Sequence, residues 1–413
     1  MANGISNKLR LTSVIASLQS GGIGTVCPDA ALGIALGNDW EVTVLSLHDD
    51  AGEWMDETGR MRTVCLGLDG NCPRQFLAWQ AANPQDLVVT SDVSRIEPAF
   101  RFLPATTRHV IQIHDSGRRY RGVAVRNAPW VDGVTCVGRH IEGPLRRSLE
   151  GSGFRGLLRT VHNGAHFPPP KDRQPHSGPL RLLFMGQIDA FKGVFDVIPI
   201  LRRLRRWKVP VTLTLVGGEN ETLRRKLERV GLAEAVHWAG RVPHQKCYDI
   251  AAVSDVFMMT SRKESFGMVT IEAMSMGCVP IAYDIPSGST EIIENGRSGL
   301  LVGLGDFAAY AQYIRELHED RSRLAALATG AAARARSHFS AKVMSVNLAD
   351  FLRDVLEHSA SYPARRESGL PPEEPVVYVR PRRGYQVLPP AFRERIRHAI
   401  GARPRLCHWL LGR

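Results

Sequence analysis

A chain of 413 residues with 44% hydrophobic content is long enough to bury two or three separate cores. No uninterrupted apolar run approaches the roughly 18–20 residues of a membrane-crossing helix, and seven scattered cysteines without a Cys-x-x-Cys pair argue against a disulfide framework or zinc site and for a reducing cytosol. The net charge is +12, and residues 361–413 alone hold eleven arginines against four acids, a concentration suited to an anionic surface.

The apolar run 11–18 has no cleavage pattern and leads into a glycine turn, so it reads as a first strand and not as a secretory signal. Short β-rich runs follow at 42–47, 87–90, 110–113, 133–137 and 159–162, separated by helix-compatible segments. Continuous apolar strands alternating with helices predict a parallel sheet covered on both faces, here a Rossmann-like domain over 1–165. Residues 166–179 are dense in proline and other breakers and read as a linker. The pattern restarts with strands at 181–185, 211–216, 236–238, 256–259, 278–283 and 299–302. Helices are predicted at 194–207, 223–230, 266–276, 307–318, 321–338 and 342–358. A second Rossmann-like domain thus occupies 180–340, a helix over 341–358 returns to the first domain, and 359–413 forms a Pro/Arg-rich tail. The fold class is α/β, with two doubly wound domains in series about a cleft where strand-end loops gather.

The first strand ends in Ser20-Gly21-Gly22-Ile23-Gly24-Thr25. Glycines there let the backbone turn and approach a phosphate at a helix start. The spacing nearly matches a dinucleotide fingerprint, with Asp49 or Asp50 after the second strand, but Cys27 stands where its third glycine belongs. A plain strand-to-helix turn is the other reading. The second domain opens with Gly186-Gln187-Ile188-Asp189-Ala190-Phe191-Lys192-Gly193, in which Lys192 reads as a mobile point charge for a diphosphate or as a solvated surface residue. The most informative stretch is Glu264-Ser265-Phe266-Gly267, followed by an apolar helical run carrying Glu272. Eight positions at about 1.5 Å of helical rise give roughly 12 Å between the carboxylates. Paired carboxylates acting on one glycosidic bond need about 5–9.5 Å. The span suits a nucleotide-sugar, with hydroxyls at both ends and phosphates in the middle, facing the dipole of the helix that starts near Phe266.

Taken in order, Gly21-Gly22-x-Gly24, His114-Asp115, Asn163-Gly164, Gly186…Lys192-Gly193, Val216-Gly217-Gly218, Gly240-Arg241-Val242, Glu264-x7-Glu272 and Gly288-x-x-Glu291 resemble glycosyltransferase family 4 over residues 10–355. These are retaining transferases of the GT-B fold that use nucleotide-sugar donors. The resemblance implies that Glu264 holds donor-sugar hydroxyls, Glu272 the ribose hydroxyls, and the amides of Ser265, Phe266 and Gly267 the phosphate and sugar. It implies that Lys192 neutralises the leaving diphosphate, that Gly22 approaches the same phosphates from the first domain, and that His114 lines the reaction centre. By the same resemblance Gly186, Gln187, Gly217 and Val242 complete the donor contacts, Val242 through its backbone to the base, and the implied catalytic set is His114, Glu264 and Lys192.

Gln187 departs from the family, which has an arginine there, so Lys192, Arg262 or Lys263 is expected to supply the missing charge. No Asp-x-Asp occurs in the sequence, so no metal or resident cofactor is expected, the nucleotide-sugar being a co-substrate. The acceptor is expected to be a glycan or a lipid-linked molecule. The segment 284–291 is similar to a variant met in bacterial surface-polysaccharide transferases. A nucleotide-sugar-binding protein without transferase activity is the alternative from another class. Nucleic acid is not an expected partner, since no aromatic-basic platform is present. In the tail, Phe392, Ile396 and Ile400 share one helix face with arginines opposite, which fits either an anionic membrane surface or a clasp across the domains. The expected location is cytoplasmic, with peripheral membrane contact through 361–413.

Overall fold

A computed structural model describes residues 8–19, 21–68, 72–171, 173, 176–360, 367 and 369. The chain divides into two compact units, Met1–Pro371 and Pro372–Arg413. The second unit, with the amphipathic segment expected at 392–400, lies outside the described residues.

The first sheet is built from β1 (Arg10–Ile15), α1 (Gly21–Gly37), β2 (Glu41–Ser46), β3 (Gly52–Met55), β4 (Met61–Cys65), α2 (Cys72–Ala82), β5 (Leu87–Ser91), β6 (Arg108–Ile113), α3 (Arg118–Asn127), β7 (Gly133–Cys136), α4 (Arg139–Leu149) and β8 (Leu157–Thr160). Its strand order is β3-β4-β2-β1-β5-β6-β7-β8, parallel throughout except for β3 against β4. The central strands are buried on both faces, as Val88 and Val89 or Val110 and Ile111 show, which is why they read as unbroken apolar runs. The hairpin partner β3 is exposed along its whole length and carries no such signal. Neither β3 nor β4 was expected from the sequence pattern.

The second sheet runs through β9 (Leu180–Met185), α5 (Val197–Arg206), β10 (Val211–Val216), α6 (Glu221–Arg229), β11 (Val236–Gly240), α7 (His244–Ala252), β12 (Val256–Met259), α8 (Met268–Ser275), β13 (Val279–Asp284), α9 (Gly288–Ile292) and β14 (Leu300–Gly303). All six strands are parallel, in the order β11-β10-β9-β12-β13-β14. That is the doubly wound order, with its reversal between β9 and β12. The first sheet reverses likewise between β1 and β5.

After α10 (Phe307–Glu319) and α11 (Arg321–His338) comes α12 (Ala341–Ala360). Its Ala341, Met344, Leu348, Phe351 and Val355 share one buried cluster with Val26, Ala30 and Ile34 of α1 and Leu11 and Ile15 of β1. The last long helix therefore packs on the first domain. The chain crosses between domains twice, side by side: Ala165 bridges Ser340, and a Cβ on Gly164 would meet the Ser340 carbonyl oxygen at 2.4 Å.

Candidate functional site

Each sheet reversal leaves a crevice at the carboxyl ends of its strands, where neighbouring connections leave toward opposite faces. In the first domain this crevice is bordered by the Gly21–Gly24 turn after β1 and by Asp92 after β5; in the second it lies between the Gly186–Gly193 loop after β9 and the Ser261–Gly267 loop after β12.

On the first-domain side, Asp49 organises the glycine turn. Its carboxylate accepts from Ser17 Oγ at 2.6 Å, the Leu18 amide at 2.7 Å and Ser46 Oγ at 2.6 Å. Burial opposes its charge, yet these hydrogen bonds prevail and hold its pKa below the usual carboxylate value. Asp49 is thus committed to the loop and is not displayed as a dinucleotide ribose ligand would be. The glycines differ in purpose. A Cβ on Gly24 would lie 2.2 Å from the Leu18 carbonyl oxygen, so packing demands glycine there; on Gly22 it would meet nothing within 4 Å, and its φ lies outside the left-handed region. The fold does not require glycine at 22, and the open space above it remains for a ligand.

His114, just after β6, is buried, with Nε2 3.6 Å from Cys27 Sγ. Burial lowers its pKa to about 4, so the ring is neutral at physiological pH. Burial also pushes the Cys27 thiol up to about 12; it donates to Ser91 Oγ at 3.3 Å, which donates to Gln112 Oε1 at 3.2 Å. The cysteine is an unreactive packing group. Beside His114 sits Asp92, a non-glycine residue with φ of 53°. Burial, then the neighbouring Asp115 charge, raises its carboxyl to about 7, against a hydrogen bond from the His114 backbone and the Arg119 charge. Asp92 was missed in the sequence because one aspartate after a strand carries no pattern.

On the second-domain side, Gly193 has φ of 68°, and a Cβ there would lie 1.8 Å from the Thr260 carbonyl oxygen. Only glycine permits that approach, which brings the preceding Lys192 to the β12 loop. Lys192 Nζ donates to Glu264 Oε2 at 2.7 Å. Gly186 and Gly217 form the neighbouring strand-end turns, and Gln187 is exposed between them. Of the three residues expected to supply the absent arginine charge, Lys192 is the one held against Glu264, and Arg262 is committed elsewhere: its guanidinium donates to both oxygens of buried Asp196 at 2.8 and 2.9 Å. Lys263 instead lies 3.6 Å from Asp115 of the first domain. Ser265 and buried Phe266 lead to Gly267, whose φ of 106° turns the chain into α8 at Met268, two residues later than expected. Since only 268–272 are helical between the two glutamates, a straight-helix span of roughly 12 Å does not describe their separation.

Glu272 is 7% exposed on α8. His244 Nε2, at the start of α7, donates to its Oε1 at 3.0 Å, and this bond, chiefly, raises the His244 pKa above its ordinary value. Val242 is half-buried just ahead of this turn. His244 was not singled out from the sequence; a lone histidine after Gly240-Arg241-Val242-Pro243 has no spacing to mark it.

The two sides are joined by Glu291 of α9. Its Oε1 accepts from the His140 backbone amide and lies 3.1 Å from His140 Nδ1, and its Oε2 lies 2.8 Å from His162 Nε2. Burial disfavours the carboxylate, but these bonds outweigh it and hold the pKa far below the usual glutamate value. The His162 ring also packs on Phe266, centroid to centroid 5.9 Å. One acid therefore ties both domain walls to the Glu264–Gly267 loop.

Residues 169–334 match the family model described as "Glycosyl transferases group 1". A glycogen synthase of Mycobacterium tuberculosis is 30% identical over 169 residues, 40% of this chain and 41% of the synthase; the chain thus spans less than half the length of that relative. Sucrose-phosphate synthase from Thermosynechococcus elongatus superposes with a TM-score of 0.71 at 18% identity, over 85% of this chain and 100% of that one. Anabaena HepE in complex with UDP and glucose gives 0.64 at 20% identity, over 84% and 100%. The fold is GT-B: two Rossmann-like domains whose strand-end loops face one cleft.

Proposed function

We propose that the chain is a retaining glycosyltransferase that moves a sugar from a nucleoside-diphosphate-sugar to a hydroxyl of a glycan, lipid-linked or other acceptor, in glycan or surface-polysaccharide assembly at the cytoplasmic side. The observation that carries this reading is the Lys192–Glu264 contact of 2.7 Å in the second-domain crevice. A cation and a hydroxyl-binding acid are held together by a backbone approach that only glycine allows. Glu272, one turn into α8, supplies the second acid for the ribose.

Cleavage of the sugar–phosphate bond develops positive charge on the sugar and negative charge on the leaving diphosphate. Lys192, the amides of Ser265, Phe266 and Gly267 and the α8 N-terminus are suited to the negative charge. Donor hydroxyls replace Lys192 as partners of Glu264, freeing its ammonium for the phosphates. His114, kept neutral by burial, offers a hydrogen bond to the donor sugar and not a charge. Lys263 and Lys192 together answer for the arginine that Gln187 lacks, and no divalent ion is assigned a role. The UDP in the Anabaena structure supports a nucleotide in the corresponding crevice.

The test is turnover with a panel of UDP-, GDP- and other nucleoside-diphosphate-sugars, read as nucleoside diphosphate released and as product mass on a mixed acceptor pool, with and without EDTA. Release that survives EDTA and falls about 10²–10³-fold in Glu264→Ala is expected. Nucleotide-sugar binding without release on every donor and acceptor would favour a binding protein instead, the reading Gln187 keeps in play. Release abolished by EDTA and restored by magnesium or manganese would overturn metal independence.

A further inference from the structure

The opposite wall of the cleft carries charge that the donor reading does not use. Two neighbouring helices of the first domain, α3 and α4, begin at the carboxyl ends of the adjacent strands β6 and β7. Both begin after a glycine, Gly117 and Gly138, that offers no capping side chain. Their opening residues are arginines: Arg118, Arg119 and Arg121 on α3, and Arg139 on α4. Helix starts ordinarily favour acids, because the unpaired N–H groups there are already positive. Three arginines in the first turn of α3, with no acid among them, work against local stability and call for an external anion.

The surroundings leave that demand unmet. Arg119 donates to a neutral partner, Ser94 Oγ, at 2.9 Å. Arg118, Arg121 and Arg139 make no side-chain ion pair among the described residues, and the Arg121 Nε is buried without a hydrogen-bond acceptor. The acids at the start of α3 are Asp92 and Asp115, while the start of α4 is already met by Glu291, which accepts from the His140 amide, and carries Glu142 in its first turn. Asp115 is divided between the Gly117 amide at 2.6 Å and Lys263 at 3.6 Å, and Asp92 is held partly protonated near neutrality by burial. Elsewhere on the same domain arginines do find acids, as Arg126 does with Glu97 at 2.8 Å and Arg146 with Glu142 at 2.6 Å. The Asp115–Lys263 contact places the start of α3 directly across from the Glu264 loop, so a group bound there lies beside the reaction centre.

We propose that Arg118, Arg119, Arg121 and Arg139 form the anion-recognition wall of the acceptor site, and that the acceptor carries a phosphate close to the hydroxyl receiving the sugar. This rests on the donor reading above, which fixes the other wall as the nucleotide side. Arginine forks bind phosphate bidentately, and the start of α3, where Gly117 offers no capping side chain, supplies further N–H donors. A soluble sugar phosphate and a phospholipid headgroup present the same chemistry.

The experiment uses the full chain with its donor crevice filled by saturating UDP or GDP. Glucose 6-phosphate and glucose are titrated in one arm; phosphatidylcholine vesicles with and without phosphatidic acid are used in the other. Glucose 6-phosphate, phosphatidic acid vesicles or both should bind, and affinity should fall about tenfold or more in the Arg118→Ser/Arg119→Ser/Arg121→Ser variant. The nucleotide affinity of that variant should be unchanged. Binding in the soluble arm identifies a free phosphorylated acceptor, and arginine-dependent binding in the vesicle arm alone identifies a lipid headgroup. Should the triple variant unfold, Arg118→Glu, at an exposed position, provides the same comparison. Glucose binding as well as its phosphate, affinity independent of the arginines, or no binding of any phosphate probe would each overturn the proposal. Failure of the donor reading has a separate sign: no nucleotide binds, while the phosphate probes retain their dependence on the arginines.

Discussion

The two walls of the cleft differ in how their charges are arranged. On the second-domain wall every central charge has a partner: Lys192 with Glu264, Arg262 with Asp196, His244 with Glu272. On the first-domain wall the arginines that open α3 and α4 face a hydroxyl or no side-chain acid among the described residues. A site that stores its cation against its own acid can release it when sugar hydroxyls arrive; a site of unpaired arginines waits for an anion from outside. The first arrangement fits a donor whose charge is buried between two neutral ends, the second an acceptor whose charge comes first.

The largest expected effect tests the paired wall. Glu264→Ala and Lys192→Ala should each lower kcat/KM by about 10²–10³-fold, the scale of losing one transition-state charge partner. Because the two groups touch, the double variant should lose little beyond the worse single one; fully additive losses would mean that they act separately.

Next comes the link between the walls. Glu291→Gln should cost about 1–3 kcal/mol of unfolding free energy at neutral pH by leaving the half-buried His140 and His162 nitrogens poorly matched. The sign with pH follows from a carboxyl depressed on folding. Its contribution is complete above the ordinary glutamate range and declines as pH falls below that range toward the depressed native value. The gap between wild type and variant, measured by denaturant titration, should therefore shrink on acidification from about pH 4.5 downward. A gap that widened there would contradict the assignment.

The glycine turn separates ligand from packing. Gly24→Ala should destabilise by about 1–3 kcal/mol through overlap with the Leu18 carbonyl. Gly22→Ala should leave the melting temperature unmoved yet raise the donor KM. Equal effects of both on stability would remove Gly22 from the site.

The smallest effect belongs to His244. Its contact with Glu272 is present below the ordinary histidine value and is lost as pH rises through the raised one. His244→Ala should change donor KM only about two- to fivefold, since the ring is more than half exposed. The difference should fade in alkaline buffer; a constant difference across pH would mean that packing, not charge, is responsible.

The same contrast governs what could be read in the sequence. Both parallel sheets were legible because strands buried on two faces write themselves as apolar runs, and the Glu264–Glu272 loop was legible because its parts lie within one short segment. The β3–β4 hairpin was not, since β3 is exposed throughout. The Glu291–His140–His162 contact joins residues 129 and 151 positions apart, which no local spacing announces. Arg262 looked available as a phosphate partner until the fold set buried Asp196 against it. The Arg118-Arg119-Tyr120-Arg121 run was visible, but its neighbourhood to Arg139 exists only once β6 and β7 pair.

The most direct measurement is a crystal structure of the chain with a nucleoside-diphosphate-sugar that it binds. The account predicts ribose hydroxyls on Glu272, sugar hydroxyls on Glu264 in place of Lys192, and the diphosphate between Lys192 and Gly22. A nucleotide lodged elsewhere, with the Lys192–Glu264 pair intact, would contradict it.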